Sequence, residues 1–203
     1  SVTARWRSSA DLWLNVAGPL DMGAVIAAIQ NAALVMQYGR GELPCPLCLL
    51  ERVALLGVAL GALLNFRGGF RWRYVGLSLS FTVLLLIIAA RQTLLDIFPR
   101  PGHEYVGSAV LGLHLPVWSV VIALVLLIVI ALRMLVLGDD RGLIGADARR
   151  FPRLTRIASV LFAIIMLLAA INLVSAFLQC GFDQCHTYGY RLLGGPTSPP
   201  DGG

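Results

Sequence analysis

The chain contains little charge and no lysine. Only 13% of its 203 residues are charged and 58% are hydrophobic, with a mean hydropathy of +0.80. Soluble domains carry about 25% charged residues, so this composition excludes a soluble domain. The length leaves room for about five membrane spans of roughly 20 residues, but not for a separate folded domain of ordinary size. The composition therefore predicts an integral membrane protein.

Five apolar stretches are long enough to cross a bilayer as helices. They lack the charged residue at every third or fourth position that an amphipathic helix of a soluble bundle would show. We predict an all-α membrane protein, a single transmembrane helical bundle of about five spans, with a flexible tail over residues 194–203. The predicted spans are residues 22–38, 48–66, 74–90, 117–137 and 157–178.

Because lysine is absent, arginine carries all the positive charge, and its distribution is uneven. Eleven of the 16 arginines lie before the first span or near the connections that follow the second and fourth spans. The positive-inside rule then predicts a cytoplasmic N-terminus and a periplasmic C-terminus. Contact between these connections and anionic lipid headgroups explains the net charge of +5, so no nucleic-acid partner is expected.

The chain has only four cysteines, and they form two close pairs. Cys45 and Cys48 make a Cys-x-x-Cys at the start of the second span, and Cys180 and Cys185 follow the fifth span. Four spans, the second to the fifth, separate the pairs, so both pairs are expected on the outer face of the membrane. Thiols on that face can form and exchange disulfides.

Several kinds of cysteine site were compared. Leucine rather than histidine follows Cys48, which excludes covalent haem attachment. A zinc site would need all four cysteines, or two of them with histidines, at tetrahedral distances, and the spacing permits this without favouring it. Purely structural disulfides also remain open. We favour redox exchange because a disulfide that closes the small loop between Cys180 and Cys185 would add only modest stability.

The first pair lies in the segment PCPLCLLER. Proline before and between the cysteines opposes helix formation, so Cys45 is expected in an extended, accessible segment and Cys48 in the first helical turn. Backbone N–H groups at the helix start would favour the Cys48 thiolate. Arg52 lies one turn further along and is expected to approach the Cys48 sulfur, with simple anchoring at the membrane surface as the alternative. Glu51 would hold Arg52 or anchor the end of the span.

Three segments resemble the DsbB-like disulfide bond formation proteins. PCPLCLLER, ARQTLLDIFPRPG at the end of the third span and VLGLHLPVW before the fourth are similar to family segments at corresponding places, over roughly residues 20 to 135. The best-known members have four spans and carry their second cysteine pair between the third and fourth. Residues 91–116 of this chain contain no cysteine, and the second pair follows an added fifth span instead.

The resemblance implies a quinone-dependent protein-disulfide oxidoreductase of the inner membrane, with a four-helix DsbB-like core and one additional C-terminal helix. A reduced periplasmic dithiol partner, thioredoxin-like and similar to DsbA, would reduce the Cys180–Cys185 disulfide. Electrons would then pass by disulfide exchange to Cys45 and Cys48, and finally to ubiquinone or menaquinone in the membrane. Cys45 would exchange with the Cys180–Cys185 pair, and Cys48 would face the quinone.

The same resemblance suggests which other residues face the quinone. Arg52 would stabilise negative charge on the Cys48 sulfur and on the reduced ring oxygen. Arg91, His114 and Trp118 lie near the same membrane edge and are expected to line the ring pocket, with interfacial anchoring as the alternative for each. No metal is expected in this arrangement.

Two other functions are compatible with the same cysteines. The chain could be an accessory subunit of a larger membrane complex, in which the disulfides only hold outer loops. It could also be a reductase that moves electrons inward, because the sequence does not determine the direction of electron flow.

Overall fold

The computed structural model describes residues 18–41, 43–67, 71–97, 112, 114–137, 152–182, 185 and 189–195. In this part of the chain there are five long helices, followed by a short 3-10 turn at Arg191–Leu193. We number the helices α1 (Gly18–Gly39), α2 (Pro46–Arg67), α3 (Trp72–Ile97), α4 (Leu115–Leu137) and α5 (Pro152–Cys180). Residues 196–203 of the predicted flexible tail lie outside the described residues.

All five helices are long and apolar enough to cross a membrane, which confirms the predicted all-α bundle of five spans. Most of them extend beyond the predicted limits, and α3 continues to Ile97 instead of ending at Ala90. Its 26 residues measure about 39 Å, longer than a hydrocarbon core of about 30 Å. The last turns of α3 therefore reach the membrane surface, where Arg91 and Gln92 lower the hydropathy without ending the helix.

α2 is the buried centre of the bundle and packs against α1, α3 and α5. Two glycines allow α3 to approach it closely. A Cβ atom at Gly57 would overlap the ring of Phe81, and one at Gly61 would overlap Ser78. The Ser78 hydroxyl also donates to the Val58 carbonyl at 3.0 Å. Small residues of this kind permit tight helix crossings in membranes.

The outer helices differ in their surroundings. α4 packs on α3 and exposes a largely apolar surface, as expected of a helix that faces lipid. α5, the additional helix, packs against both α1 and α2. Its buried polar residues recur at helical spacing on one side: Asn172, Ser175 and Gln179. This polar stripe of α5 reaches the end of the bundle that holds Cys45, Cys48, Cys180 and Cys185, which we call the cysteine end.

Candidate functional site

The first cysteine pair forms a disulfide at the start of α2. Cys45 precedes the helix and Cys48 lies in its first turn, as predicted. The Cys48 backbone N–H donates to the Cys45 sulfur at 3.0 Å, and the Leu49 N–H donates to the Cys45 carbonyl at 3.0 Å. Cys45 thus caps the helix. The helix-start donor that we expected to act on Cys48 is directed at the Cys45 sulfur instead.

Cys45 is buried, and the prediction that it is accessible is wrong. Its exposed fraction is 8%, whereas Cys48 is half-buried. Side chains from two other helices reach the non-helical segment before α2. Gln92 of α3 contacts the sulfurs, and Gln179 of α5 donates to the Pro44 carbonyl at 2.8 Å. The segment lies outside the helix, which begins at Pro46, but tertiary packing covers it.

Gln92 is the side chain that contacts both sulfurs of the first pair. Its Nε2 donates to the sulfur of Cys45 at 3.3 Å and to that of Cys48 at 3.4 Å. The residue is 6% exposed, and its Oε1 atom has no hydrogen-bond partner among the described residues. We did not predict this residue from the sequence. The only signal was an amide next to Arg91 at the end of a long apolar stretch.

Arg52 is held by three neutral oxygen atoms. Its Nη1 donates to Gln37 Oε1 at 2.6 Å and to Asn172 Oδ1 at 3.4 Å, and its Nη2 donates to the Ala33 carbonyl at 3.2 Å. The expected contact with the Cys48 sulfur is not among these bonds, because acceptors on α1 and α5 hold the guanidinium. None of these partners is acidic, so they leave the positive charge uncompensated.

The segment that follows the second cysteine pair is joined to Arg52 through Gln37. The Gln37 amide accepts from Arg52 with its oxygen and donates with Nε2 to the Tyr190 hydroxyl at 2.8 Å. An arginine offers only donors, so the amide oxygen must face it and the amide nitrogen then faces Tyr190. At the next residue of α1, the hydroxyls of Tyr38 and Ser175 form a hydrogen bond that joins α1 to α5.

The second cysteine pair also forms a disulfide, at the end of α5. Gly181, between the two cysteines, reverses the chain in a left-handed conformation with φ of 62°. Cys180 is buried, Cys185 is half-buried, and Phe182 between them is 98% exposed. The four sulfurs are bonded in two pairs instead of meeting around one point, and the described residues contain no cluster of metal-binding side chains.

Glu51 points to a different side of α2 from Arg52, because consecutive residues of a helix point about 100° apart. It is buried, and its Oε2 accepts from the Ser119 hydroxyl of α4 at 2.7 Å. Its Oε1 has no hydrogen-bond partner among the described residues. Of the two roles expected for Glu51, the structure supports attachment of the span end, since α4 and not Arg52 provides its partner.

The other residues predicted to line a quinone pocket lie at ends of α3 and α4. Arg91 is exposed on α3, next to Gln92, which turns inward. His114 is exposed just before α4, and its carbonyl accepts from the Val117 N–H at 3.1 Å. Trp118 is half-buried in the first turn of α4, beside Ser119. Their positions near the cysteine end agree with the prediction, whereas a role in binding remains a prediction.

The part of the chain that matches a known protein family contains the first cysteine pair. Residues 20–105 match the family model described as "Disulfide bond formation protein DsbB". This segment covers most of α1, all of α2 and α3, and includes Cys45, Cys48, Arg52 and Gln92. This part of the chain is DsbB-like.

Several curated relatives that match part of the chain are named "Disulfide bond formation protein B". The protein of Chromohalobacter salexigens is 38% identical over 46% of this chain and 59% of its own length. The protein of Cupriavidus metallidurans is 27% identical over 53% of this chain and 85% of its own length. The match with the Nitrosomonas europaea protein, at 39% identity, covers 37% of this chain and about half of that protein, 49%. No solved structure matches the chain significantly.

The DsbB-like segment ends before α4, so the family match does not include α5 or the second cysteine pair. These parts nevertheless contact the matched segment at its most polar positions. Asn172 reaches Arg52, Gln179 reaches Pro44, and Tyr190 reaches Gln37. The additional helix therefore completes the surroundings of the first disulfide.

Proposed function

We propose that the chain is a membrane thiol:quinone oxidoreductase of the inner membrane, which reoxidises a periplasmic dithiol partner and passes the electrons to ubiquinone or menaquinone. The observation that carries this proposal is the hydrogen bond of 2.8 Å between Gln179 and Pro44. Each of these residues is the chain neighbour of a disulfide cysteine. Both disulfides therefore lie at one end of the bundle, where exchange between them requires little movement.

The loop closed by the second pair favours this pair as the entry point for electrons, because Phe182 within it is 98% exposed and offers a partner protein an apolar contact. A thiolate of a thioredoxin-like, DsbA-like partner attacks the half-buried Cys185 sulfur, forms a mixed disulfide and releases Cys180 as a thiolate. The partner's second thiol then displaces Cys185. The partner leaves as a disulfide, and Cys180 and Cys185 together hold the two electrons as a dithiol.

The buried Cys180 is then the thiol closest to the first disulfide along the Gln179–Pro44 contact. Its thiolate attacks the Cys45 sulfur, breaks the Cys45–Cys48 bond and leaves Cys48 as a thiolate. Cys185 next displaces Cys45, which restores the Cys180–Cys185 disulfide and moves the electron pair to Cys45 and Cys48. The N–H groups of Gln92 and of the helix start stabilise negative charge on these two sulfurs.

The residues around the first pair fit a quinone. A quinone accepts two electrons and two protons and becomes a quinol. Arg52 offers a cation whose described partners are all neutral, which suits an oxygen that gains negative charge. The buried Oε1 atoms of Gln92 and Glu51 have no described partner and can accept from hydroxyl groups. The ring would lie at the cysteine end near Arg52, and Arg91, His114 and Trp118 are proposed to lie near it at the same membrane surface.

The proposed orientation places the cysteine end in the periplasm and the opposite end in the cytoplasm. At the opposite end, Arg67 closes α2, Arg71 and Arg73 lie at the start of α3, and Arg153 and Arg156 lie in the first turns of α5. This concentration of arginine supports the assignment by the positive-inside rule. In the periplasm the disulfides are shielded from the reducing cytosol.

Quinone reduction by the purified full chain tests the proposal. The protein is mixed with a reduced thioredoxin-like dithiol protein and ubiquinone or menaquinone, and quinol formation is followed by absorbance. We expect activity in the native chain and none in Cys48→Ser, and a raised KM for quinone in Arg52→Ala. Quinol that fails to form in the native chain, with both disulfides unaffected by the partner, would favour a structural subunit. Full activity in Cys180→Ser would show that the second pair is not the entry point.

A further inference from the structure

An apolar groove runs along α2 and α5 from the first disulfide towards the middle of the bundle. On α2 it extends from Leu49, the neighbour of Cys48, to Leu60, and on α5 it extends from Ala176 to Ile165. Its volume is about 350 Å³, in the range of small-ligand pockets. Eleven helical steps separate Leu49 from Leu60, so this α2–α5 groove is about 16 Å long.

We propose that the α2–α5 groove binds the polyprenyl tail of the membrane quinone, with the quinone ring at the end nearest Arg52. The inference rests on the proposed function and adds the site that holds the tail. It also assigns a role to α5, the helix that lies outside the DsbB-like segment.

The polarity of the groove matches such a ligand. Asn172 is the polar residue among those lining it, and this residue accepts a hydrogen bond from Arg52 at 3.4 Å. The other lining side chains are apolar. One end of the groove therefore meets a cation and a side-chain amide, while the remainder offers only hydrocarbon, as a ligand with a polar ring and an apolar tail requires.

The shape of the groove explains why it would select a polyprenyl chain over an ordinary lipid chain. Transfer from lipid into the groove removes no apolar surface from water, so affinity must come from close packing. Ala169 and Ala176 supply shallow notches on the α5 side of the groove, whereas on the α2 side the Phe81 ring fills the space beside Gly57. Regularly spaced methyl branches can fill such notches, whereas an unbranched acyl chain leaves them empty.

The groove is open to the surrounding lipid. Val53, Met166 and Leu173 line it and are themselves exposed on the outside of the bundle. A tail can therefore enter sideways from the membrane. The ring then reaches the first disulfide without passing through water.

Photo-crosslinking tests the inference independently of turnover. The full chain in lipid nanodiscs is incubated with a polyprenyl quinone that carries a photoreactive group on its tail, and labelled residues are identified by mass spectrometry. We expect labels on α2 and α5 along the groove. Ala169→Phe, which fills the groove, should reduce this labelling about tenfold, and Val125→Phe on the exposed side of α4 should not change it.

A kinetic comparison separates this inference from the proposed function. Ala169→Phe should raise the KM for the polyprenyl quinone about tenfold and leave the KM for a tail-less quinone unchanged. Ala169→Leu introduces a smaller side chain into the groove and replaces the first variant if that variant does not fold. Unchanged labelling in the filled variants, or equally strong labelling by a photoreactive phospholipid, would overturn the tail site. Failure of the native chain to reduce either quinone would instead contradict the proposed function.

Discussion

At the level of single residues, neutral amides dominate the surroundings of the first disulfide. Gln92 donates to both sulfurs, Gln179 fixes the Pro44 carbonyl, and Gln37 orients Arg52. A side-chain amide can donate and accept at the same time, so it satisfies a buried site without introducing charge into the membrane. The cation at Arg52 is thereby positioned without an acidic partner among its described contacts.

Replacing Gln92 by leucine is expected to make the reduction potential of the Cys45–Cys48 pair more negative by at least about 30 mV. The amide N–H groups stabilise thiolate sulfur more than disulfide sulfur, so their loss disfavours the reduced state. A hydrogen bond to a charged group contributes about 1.5–3 kcal/mol, and 30 mV corresponds to about 1.4 kcal/mol.

Equilibration of this variant with thiol buffers of known potential provides the measurement, with Cys180 and Cys185 replaced by serine to isolate the first pair. Asn65→Leu serves as the control, because Asn65 is a buried amide at the opposite end that donates to no sulfur and accepts from the Arg71 N–H. An unchanged potential in Gln92→Leu would show that the two contacts with sulfur have no energetic role.

At the level of helices, two contacts of different character hold α2. Its contact with α3 depends on glycine and close backbone approach. Its contact with α5 includes the polar stripe of α5. The second cysteine pair lies at the end of the same helix. Interhelical hydrogen bonds in membranes contribute roughly 1 kcal/mol each, so the stripe acts mainly by fixing the register of α5 against α1 and α2.

Replacing Gln179 by leucine is expected to slow electron transfer between the two cysteine pairs about tenfold. The variant leaves the buried Pro44 carbonyl without its side-chain donor, which costs about 1–3 kcal/mol and loosens the alignment of Cys180 with Cys45. Rapid acid quenching and alkylation of free thiols report the redox state of each pair over time. Ser175→Ala is the matched control in the same stripe. Equal slowing in both variants would indicate general loosening of α5.

Replacing Gly61 by alanine is expected to lower the free energy of unfolding by about 1–3 kcal/mol. The added Cβ atom would lie 2.9 Å from the Tyr74 carbonyl oxygen, so α2 and α3 would have to separate. Thermal unfolding in detergent, followed by circular dichroism, measures the change. Gly76→Ala is the control, because a Cβ atom at that position would have no neighbouring atom within 4 Å and alanine favours helix. Comparable loss in both variants would argue against tight packing at Gly61.

At the level of the whole molecule, an odd number of spans lets the N-terminal and C-terminal segments lie on opposite sides of the membrane. Four spans separate the two cysteine pairs, and the Gln179–Pro44 bond joins them at one end of the bundle. The arginine-rich helix ends lie at the other end. The proposed periplasmic position of the cysteine end rests on this charge distribution.

Reporter fusions are expected to confirm this orientation. A reporter that is active only in the periplasm should be active when joined after Gly195 and inactive when inserted between α2 and α3. Fusions with a reporter that is active only in the cytoplasm provide the complementary control. The opposite pattern would place the cysteine end in the cytoplasm, where its disulfides would be reduced.

Much of the architecture follows from the sequence alone. Long apolar stretches must form helices in a bilayer because every backbone polar group needs a partner there, and this fact determined the number of spans. The proline residues beside Cys45 likewise determined that the helix starts near Cys48. Such features depend on neighbours along the chain, and for this reason they could be predicted.

The tertiary structure decided how those elements meet. It buried Cys45, directed Arg52 towards Gln37 and Asn172 in place of the Cys48 sulfur, and placed Gln92 over both sulfurs. Each of these outcomes depends on the rotation and register of helices that are distant in the chain. Hydropathy is nearly uniform around such helices, so the sequence determines that they cross the membrane, whereas close packing and a few hydrogen bonds determine which sides face one another.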